Sequence, residues 1–404
     1  MGLLKKKIGF TAAAILLLFL AACGGGGGRG GGGGGGGGGR LPVTNINISP
    51  ETANVKAGES VTLTVTVSPR NTEFTVSAAA GNFTTDGSKV VYTPPAVAGT
   101  YELTVTAGTR GKATAQIAVK DIADIEIPEG SISNGVNGVN DSGRIVVEVI
   151  DPQGRRKAFL TDRNGGNPVP VAPDGGGDVY VFGINNSNNV LGRSDNGYFL
   201  MRTRSGRVEY ITLELEGYPS ADFTAINNAG HQAGYYTESD GYVSSFIKEG
   251  DGSVWMGIRH PDVNYTGCGN INIQPCGTYI TGINNAGHAV GYYVNASGVQ
   301  YGFMLAGSAF KAINHPDTRP NNPINLHVSG INDNGKVVGY FWGADLYSRG
   351  FISDGSKFTV FDHPGAMKAV EGGYGTYITG VNNSSQITGW FDDGYKRGFL
   401  VTNP

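Results

Sequence analysis

Read for its apolar and polar positions, the chain carries two patterns that meet near residue 120. Over 41–120 the two kinds of residue alternate. Val61-Thr62-Leu63-Thr64-Val65-Thr66-Val67 sets Val and Leu on one face and Thr on the other, and 101–107 and 113–119 do the same. Shorter runs of this kind fall at 45–49, 74–78 and 89–93, with Gly and Pro between them. A period of two marks a half-buried strand, and short strands with frequent turns and no helical period predict a β-sandwich.

Beyond residue 120 a phrase returns six times: a small residue, Ile or Val, Asn, then a polar turn. It reads Gly138-Val139-Asn140, Gly183-Ile184-Asn185, Ala225-Ile226-Asn227, Gly282-Ile283-Asn284, Gly330-Ile331-Asn332 and Gly380-Val381-Asn382. Nine residues after the small residue stands Gly192, Gly234, Gly291, Gly339 or Gly389, with Val147 in the first copy. A Phe closes each copy, at Phe159, Phe199, Phe246, Phe303, Phe351 and Phe399. Self-similarity at this period belongs to propellers and solenoids. The copy over 278–314 holds four short strands, the number in a propeller blade. The last copy lacks a fourth strand, and Ile122-Ala123-Asp124-Ile125-Glu126-Ile127-Pro128 has the alternation to supply it. The expected fold is therefore all-β: a sandwich, then a six-bladed propeller over 121–404 whose ring is closed by the strand at 122–128.

The start of the chain has no such pattern. Lys5, Lys6 and Lys7 precede an apolar run over 8–20 and then small residues, the layout of a secretory leader. The run is shorter than the roughly 20 residues that span a bilayer. Glycines fill most of 24–39, with too few side chains to build a core, and predict a disordered tether of about 20–25 Å root-mean-square reach. The domains expected are 1–22 leader, 23–40 Cys23 and tether, 41–120 sandwich, and 121–404 propeller.

Charge excludes one class of partner. Lys and Arg number 30 against 33 Asp and Glu, a net −3, and no basic stripe is present to neutralise nucleic-acid phosphates. Of three cysteines, Cys268 and Cys276 form a close pair, which in an oxidising compartment predicts a local disulfide. Two cysteines alone do not make a zinc site.

Three resemblances add to this. Leu20-Ala21-Ala22-Cys23 resembles the lipobox of bacterial lipoproteins, which implies cleavage before Cys23, lipid on its thiol and new amino group, and a membrane anchor. No Asp follows Cys23, so the outer membrane or cell surface is the address implied. Ile46-Asn47-Ile48-Ser49-Pro50, Val55-Lys56-Ala57-Gly58-Glu59-Ser60 and Ala98-Gly99-Thr100-Tyr101 resemble bacterial immunoglobulin-like domains, which implies a spacer or adhesive module. Gly330-Ile331-Asn332-Asp333-Asn334-Gly335 followed by Arg349-Gly350-Phe351-Ile352, with Phe361-Asp362-His363-Pro364-Gly365-Ala366, resembles the HAF family of extracellular repeats. That likeness supports fold and location and implies no activity.

Candidate chemistry is sparse. The six Asn either line a polar channel or complete Asx turns at strand ends. Tyr235-Tyr236, Tyr292-Tyr293, Tyr340-Phe341 and Trp390-Phe391 either pack between blades or offer stacking platforms for sugars. His260-Pro261-Asp262, His315-Pro316-Asp317 and His363-Pro364-Gly365 end three consecutive fourth strands and open long connections. They are candidates for ligand contacts, or strand terminators whose imidazole bonds backbone. No nucleophile elbow, phosphate loop, HExxH or calcium loop is present. The reading is a monomeric, non-catalytic, lipid-anchored binding or scaffold protein, without cofactor or metal, facing a glycan or envelope protein. The alternatives are a polysaccharide hydrolase or lyase using His260, His315, His363, Asp262 and Asp317, and a purely structural envelope component.

Overall fold

The computed structural model describes residues 45–70, 72–95, 97–108, 111–126, 131–173, 177–204, 207–263, 275–318, 326–345, 347–367, 374–402 and 404. The leader, Cys23, the tether, Cys268 and the last two residues of the expected strand at 122–128 lie outside them. The described residues are all-β, and the chain divides into two compact units, Met1–Lys120 and Asp121–Pro404.

The first unit has two sheets. One orders β1 (Asn45–Ser49), β3 (Val61–Ser68), β6 (Lys89–Thr93) and β5 (Asn82–Asp86). The other orders β2 (Thr52–Lys56), β8 (Gly111–Asp124), β7 (Gly99–Ala107) and β4 (Phe74–Ala78), with β2 parallel to β8. Ile48, Leu63, Val65 and Val90 of the first sheet pack on Leu103, Val105, Ile117 and Val119 of the second. Their polar alternates face solvent, which is what the period of two requires. The strands β2 and β5 escape the alternation because each offers only one strongly apolar side chain, Val55 and Phe83.

The second unit repeats one four-stranded antiparallel sheet. Its inner strands are Ser133–Val139, Tyr180–Ile184, Asp222–Ile226, Gly277–Ile283, Leu326–Ile331 and Thr376–Val381. In the last sheet the outer strand comes from β8, where Asp121 to Asp124 pair with Thr402 to Phe399. Each sheet packs on the next through its own apolar layer, and Leu400 and Ile125 of the sixth pack on Val136 and Val147 of the first, so the order is cyclic.

Two sets of hydrogen bonds tie this cycle together. The recurring Asn takes backbone N–H bonds on its Oδ1 within its own turn, as from Ala286 at 3.1 Å and His288 at 2.9 Å onto Asn284. Its Nδ2 donates to the carbonyl of the Asn in the following sheet: Asn140 to Asn185, Asn185 to Asn227, Asn227 to Asn284, Asn284 to Asn332, Asn332 to Asn382, and Asn382 back to Asn140, at 2.9–3.2 Å. One side chain thus completes a local turn and clasps the neighbouring sheet. The second set arises at a β-bulge just before the small residue in every inner strand. From that bulge Asn137, Thr224, Thr281 and Thr379 donate to Val181, Ile280, Val328 and Val136 of the following sheet.

The recurring Gly has a steric cause. A Cβ at Gly234, Gly291, Gly339 or Gly389 would stand 1.8–2.0 Å from an inner-strand carbonyl oxygen. At Gly339 it would also meet the ring of Phe351, its partner in register. The closing Phe lies over the backbone of a residue that has no side chain, and full burial of such a ring contributes about 2–3 kcal/mol. The first sheet shows the converse: with Val147 opposite it, Phe159 is only partly buried, whereas Phe246, Phe303, Phe351 and Phe399 are fully buried.

Candidate functional site

The inner strands run along a common axis and present different chemistry at its two ends. At the turn end, Val139, Ile184, Ile226, Ile283, Ile331 and Val381 line a small depression that opens to solvent. Around the mouth stand Asp141, Asn186, Asn228, Asn285, Asp333 and Asn383, one per sheet. Each backbone N–H in this ring donates to the side-chain oxygen of the next member, at 2.6–2.9 Å, through all six. Asn383 Nδ2 further bridges Asp141 and Asp333, at 2.9 and 2.8 Å. The side-chain oxygens are committed to the ring itself, which makes this end a second clasp.

The opposite end is a belt of large and charged side chains. It is built from the residue three before each small residue, which is Gly135, Tyr180, Asp222, Tyr279, His327 or Tyr377. Each pairs in register with a second-strand residue, which is Glu148, Arg193, Tyr235, Tyr292, Tyr340 or Trp390. From the third sheet to the sixth the belt is aromatic. Tyr235 meets Tyr279 edge-on at 4.9 Å, Tyr279 stacks on Tyr292 at 5.0 Å, and His327 lies between Tyr292 and Tyr340. Tyr340 then meets Tyr377, which stacks on Trp390 at 3.8 Å.

From the sixth sheet back to the third the belt is charged. Lys396 Nζ lies 4.7 Å from the Trp390 ring centre, and its chain passes where a side chain at Gly135 would stand. It faces Glu148, which accepts from the Val181 amide at 2.8 Å and lies 3.8 Å from Arg156. Arg156 and Arg193 both lie over the Tyr180 ring, and Arg193 also over Tyr198, whose hydroxyl donates to Asp222.

Burial sets the protonation of this belt. It holds the hydroxyls of Tyr198, Tyr235 and Tyr340 well above the ordinary phenol range, with the neighbouring Asp222 adding to the effect on the first two. All three are therefore donors at neutral pH. Burial also pushes His327 down to about 4, so its imidazole is neutral there. It lowers Lys396 and raises Glu148, while their mutual attraction opposes both shifts. Among the described residues the Tyr180, Tyr235 and Tyr340 hydroxyls have no hydrogen-bond partner. All three residues are half-buried. Phenol donors, amide and carboxylate acceptors, guanidinium forks and aromatic edges are gathered in one circuit.

The histidines, aspartates and cysteines singled out from sequence lie elsewhere. His260, His315 and His363 are buried, each wedged into the aromatic layer of the following sheet: on Tyr293 at 3.9 Å, Phe341 at 4.0 Å and Phe391 at 3.7 Å. In each the Nδ1 accepts a backbone N–H two residues on, at 3.1–3.2 Å. His363 Nε2 lies 3.1 Å from Asp124. The three imidazoles occupy separate layers, and contact with a ligand would require each to leave its stack. Asp262 and Asp317 are exposed beside them. Cys276 is buried, and its expected partner Cys268 lies outside the described residues. The aromatic pairs divide as alternation requires. Tyr235, Tyr292, Tyr340 and Trp390 join the belt, while Tyr293, Phe341 and Phe391 receive the His wedges and Tyr236 receives Tyr218 at 4.2 Å.

No protein-family model matches the chain, and no curated protein matches it. The likenesses to lipoproteins, immunoglobulin-like domains and HAF repeats rest on the residues quoted for them. Matches among solved structures include the Aleuria aurantia lectin, described as a six-bladed β-propeller with a novel fucose recognition mode, at 11% identity, 78% of this chain, 94% of that chain and a TM-score of 0.34. A protein of the DUF4784 family from Bacteroides caccae matches at 10% identity, 80% and 96% coverage and 0.29. A prolyl endopeptidase structure matches at 12% identity, 86% and 55% coverage and 0.38, so the chain spans about half that protein's length. None of these likenesses bears on the site, which is read from the chain's own residues.

Proposed function

We propose that this chain is a lipid-anchored, extracytoplasmic, non-catalytic glycan-binding protein. Its second unit is a six-bladed β-propeller of HAF-type repeats, its first an immunoglobulin-like spacer, and the belt is its binding site. The observation that carries the reading is the belt's makeup: protonated tyrosine hydroxyls without partners among the described residues, flanked by aromatic rings, carboxylates and arginines. Sugars offer hydroxyls that exchange hydrogen bonds with such groups and C–H faces that pack on aromatic rings. Cys23 carries the lipid, and Cys268 and Cys276 pair to staple the loop between them.

A glycan array probed with the full chain, beside the Tyr235→Phe, Tyr340→Phe double variant, tests the site. The expected result is binding that the double variant loses by about tenfold or more, since two hydrogen bonds to a ligand are removed. Equal retention by both proteins would reject the belt. New reducing ends released from a bound polysaccharide would replace binding with catalysis. For the anchor, Cys23→Ser should abolish lipid labelling and release the protein from membranes.

A further inference from the structure

We infer that the ligand of the belt carries a carboxylate, as a hexuronic acid does, and that Arg193 is the residue that holds it. This rests on the glycan reading above and adds the class of sugar. The second-strand belt position holds an aromatic residue in four sheets and a buried Glu in the first. Only in the second sheet does it hold a cation. Arg193 is exposed, and its guanidinium carbon stands 5.0 Å from the Tyr180 ring centre and 5.9 Å from that of Tyr198. Contact with the two rings and with the Tyr198 hydroxyl holds the guanidinium in place without neutralising it, and its remaining N–H groups stay available for a carboxylate.

Several other arginines of the second unit are instead held in ion pairs. Arg155 is closed off by Asp151 at 2.8 Å, Arg397 by Asp393 at 2.7 Å, and Arg349 by Asp345 at 2.5 Å. Arg259 meets Glu238 at 3.1 Å and Asp240 at 3.3 Å. Arg193 has no carboxylate within ion-pair distance among the described residues. The nearby Asp222 is engaged by the Tyr198 hydroxyl, and Glu148 by the Val181 amide. A planar fork preset by two rings suits bidentate capture of a carboxylate, while the Tyr235 and Tyr340 hydroxyls serve the hydroxyls of the same oligosaccharide.

The test is calorimetric titration of the full chain with an oligogalacturonate, its methyl ester and a neutral galacto-oligosaccharide of equal length. The acid should bind about tenfold or more tighter than the ester. Arg193→Gln should bring the acid-to-ester affinity ratio down to about one in a chain that still unfolds cooperatively. Arg193→Lys should recover part of the preference, since an ammonium supplies charge without the fork. Equal binding of acid and ester, or a preference untouched by Arg193→Gln, overturns the inference and leaves the glycan reading standing. Binding of none of the three sugars overturns the inference together with the reading beneath it. Acid-selective binding that survives Tyr235→Phe with Tyr340→Phe keeps the carboxylate subsite and removes the tyrosines from the glycan reading.

Discussion

At one end of the inner strands the residue two places after the small one is Asn in all six sheets. At the other end, the residue three places before it is Gly135, Tyr180, Asp222, Tyr279, His327 and Tyr377 in turn. The uniform end makes the same bonds six times, within each turn and across each junction. The varied end has no common bond to make. Its members are charged in one arc and aromatic in the other, and three of its hydroxyls, on Tyr180, Tyr235 and Tyr340, go unpartnered among the described residues. A closed ring of equal parts imposes the same demand on every part, so sameness marks the residues that build it. Where the sheets disagree, the ring's construction does not dictate the choice.

Four substitutions or conditions sharpen this contrast. The largest effect is expected at the uniform parts. Gly339→Ala would place a Cβ 2.0 Å from the His327 carbonyl oxygen and against Phe351, and should lower the unfolding free energy by about 3–5 kcal/mol in denaturant titration. A loss below about 1 kcal/mol would refute the steric account of the recurring Gly. Asn284→Ala removes the clasp to Asn332 and both turn bonds, leaving buried backbone groups unpaired, and should cost about 2–4 kcal/mol. Oligosaccharide affinity of the folded fraction should not change.

The third effect depends on pH and lies within the belt. His327 is held down to about 4 by burial, against an ordinary value of 6.5. The unfolded chain therefore takes up the proton first, and stability present above about pH 6.5 is lost as pH falls toward about 4, by about 3 kcal/mol in all. His260 and His315 are lowered by burial too and add in the same direction. His327→Phe should flatten the pH profile of the unfolding midpoint in that window. An unchanged slope would mean the imidazole is not enclosed. The smallest effect on stability, under about 1 kcal/mol, is expected for Tyr235→Phe with Tyr340→Phe, because neither hydroxyl bonds another described residue.

The sequence made the local rules legible and hid the distant ones. Alternation over 61–67 placed Leu63 and Val65 in the core, and the Asx turn at Asn284 follows from Asn before Asn-Ala-Gly. The same Asn's bond to Asn332, 48 residues on, is invisible to any local pattern. His260, His315 and His363 drew attention because they depart from the repeat, yet an imidazole with an aromatic residue in the next sheet is also a packing piece, and their stacking was not readable from spacing. Tyr235, Tyr292, Tyr340 and Trp390 stood out as members of aromatic pairs, but the rest of the belt was missed because its members change type from copy to copy. Register was the available signal: the residue three before the small one pairs with the residue ten after it, which joins Tyr279 to Tyr292 and Tyr377 to Trp390.

The central claim is that binding resides at the varied end and construction at the uniform one. The direct measurement is oligosaccharide titration of two variants side by side, Tyr235→Phe with Tyr340→Phe at the belt and Asn228→Ala at the opposite mouth, each checked by its unfolding midpoint. The account predicts that the belt variant loses affinity by about tenfold or more with its midpoint unchanged, and that the mouth variant keeps full affinity. Loss of affinity in the mouth variant, with the belt variant binding as well as the parent, would contradict it.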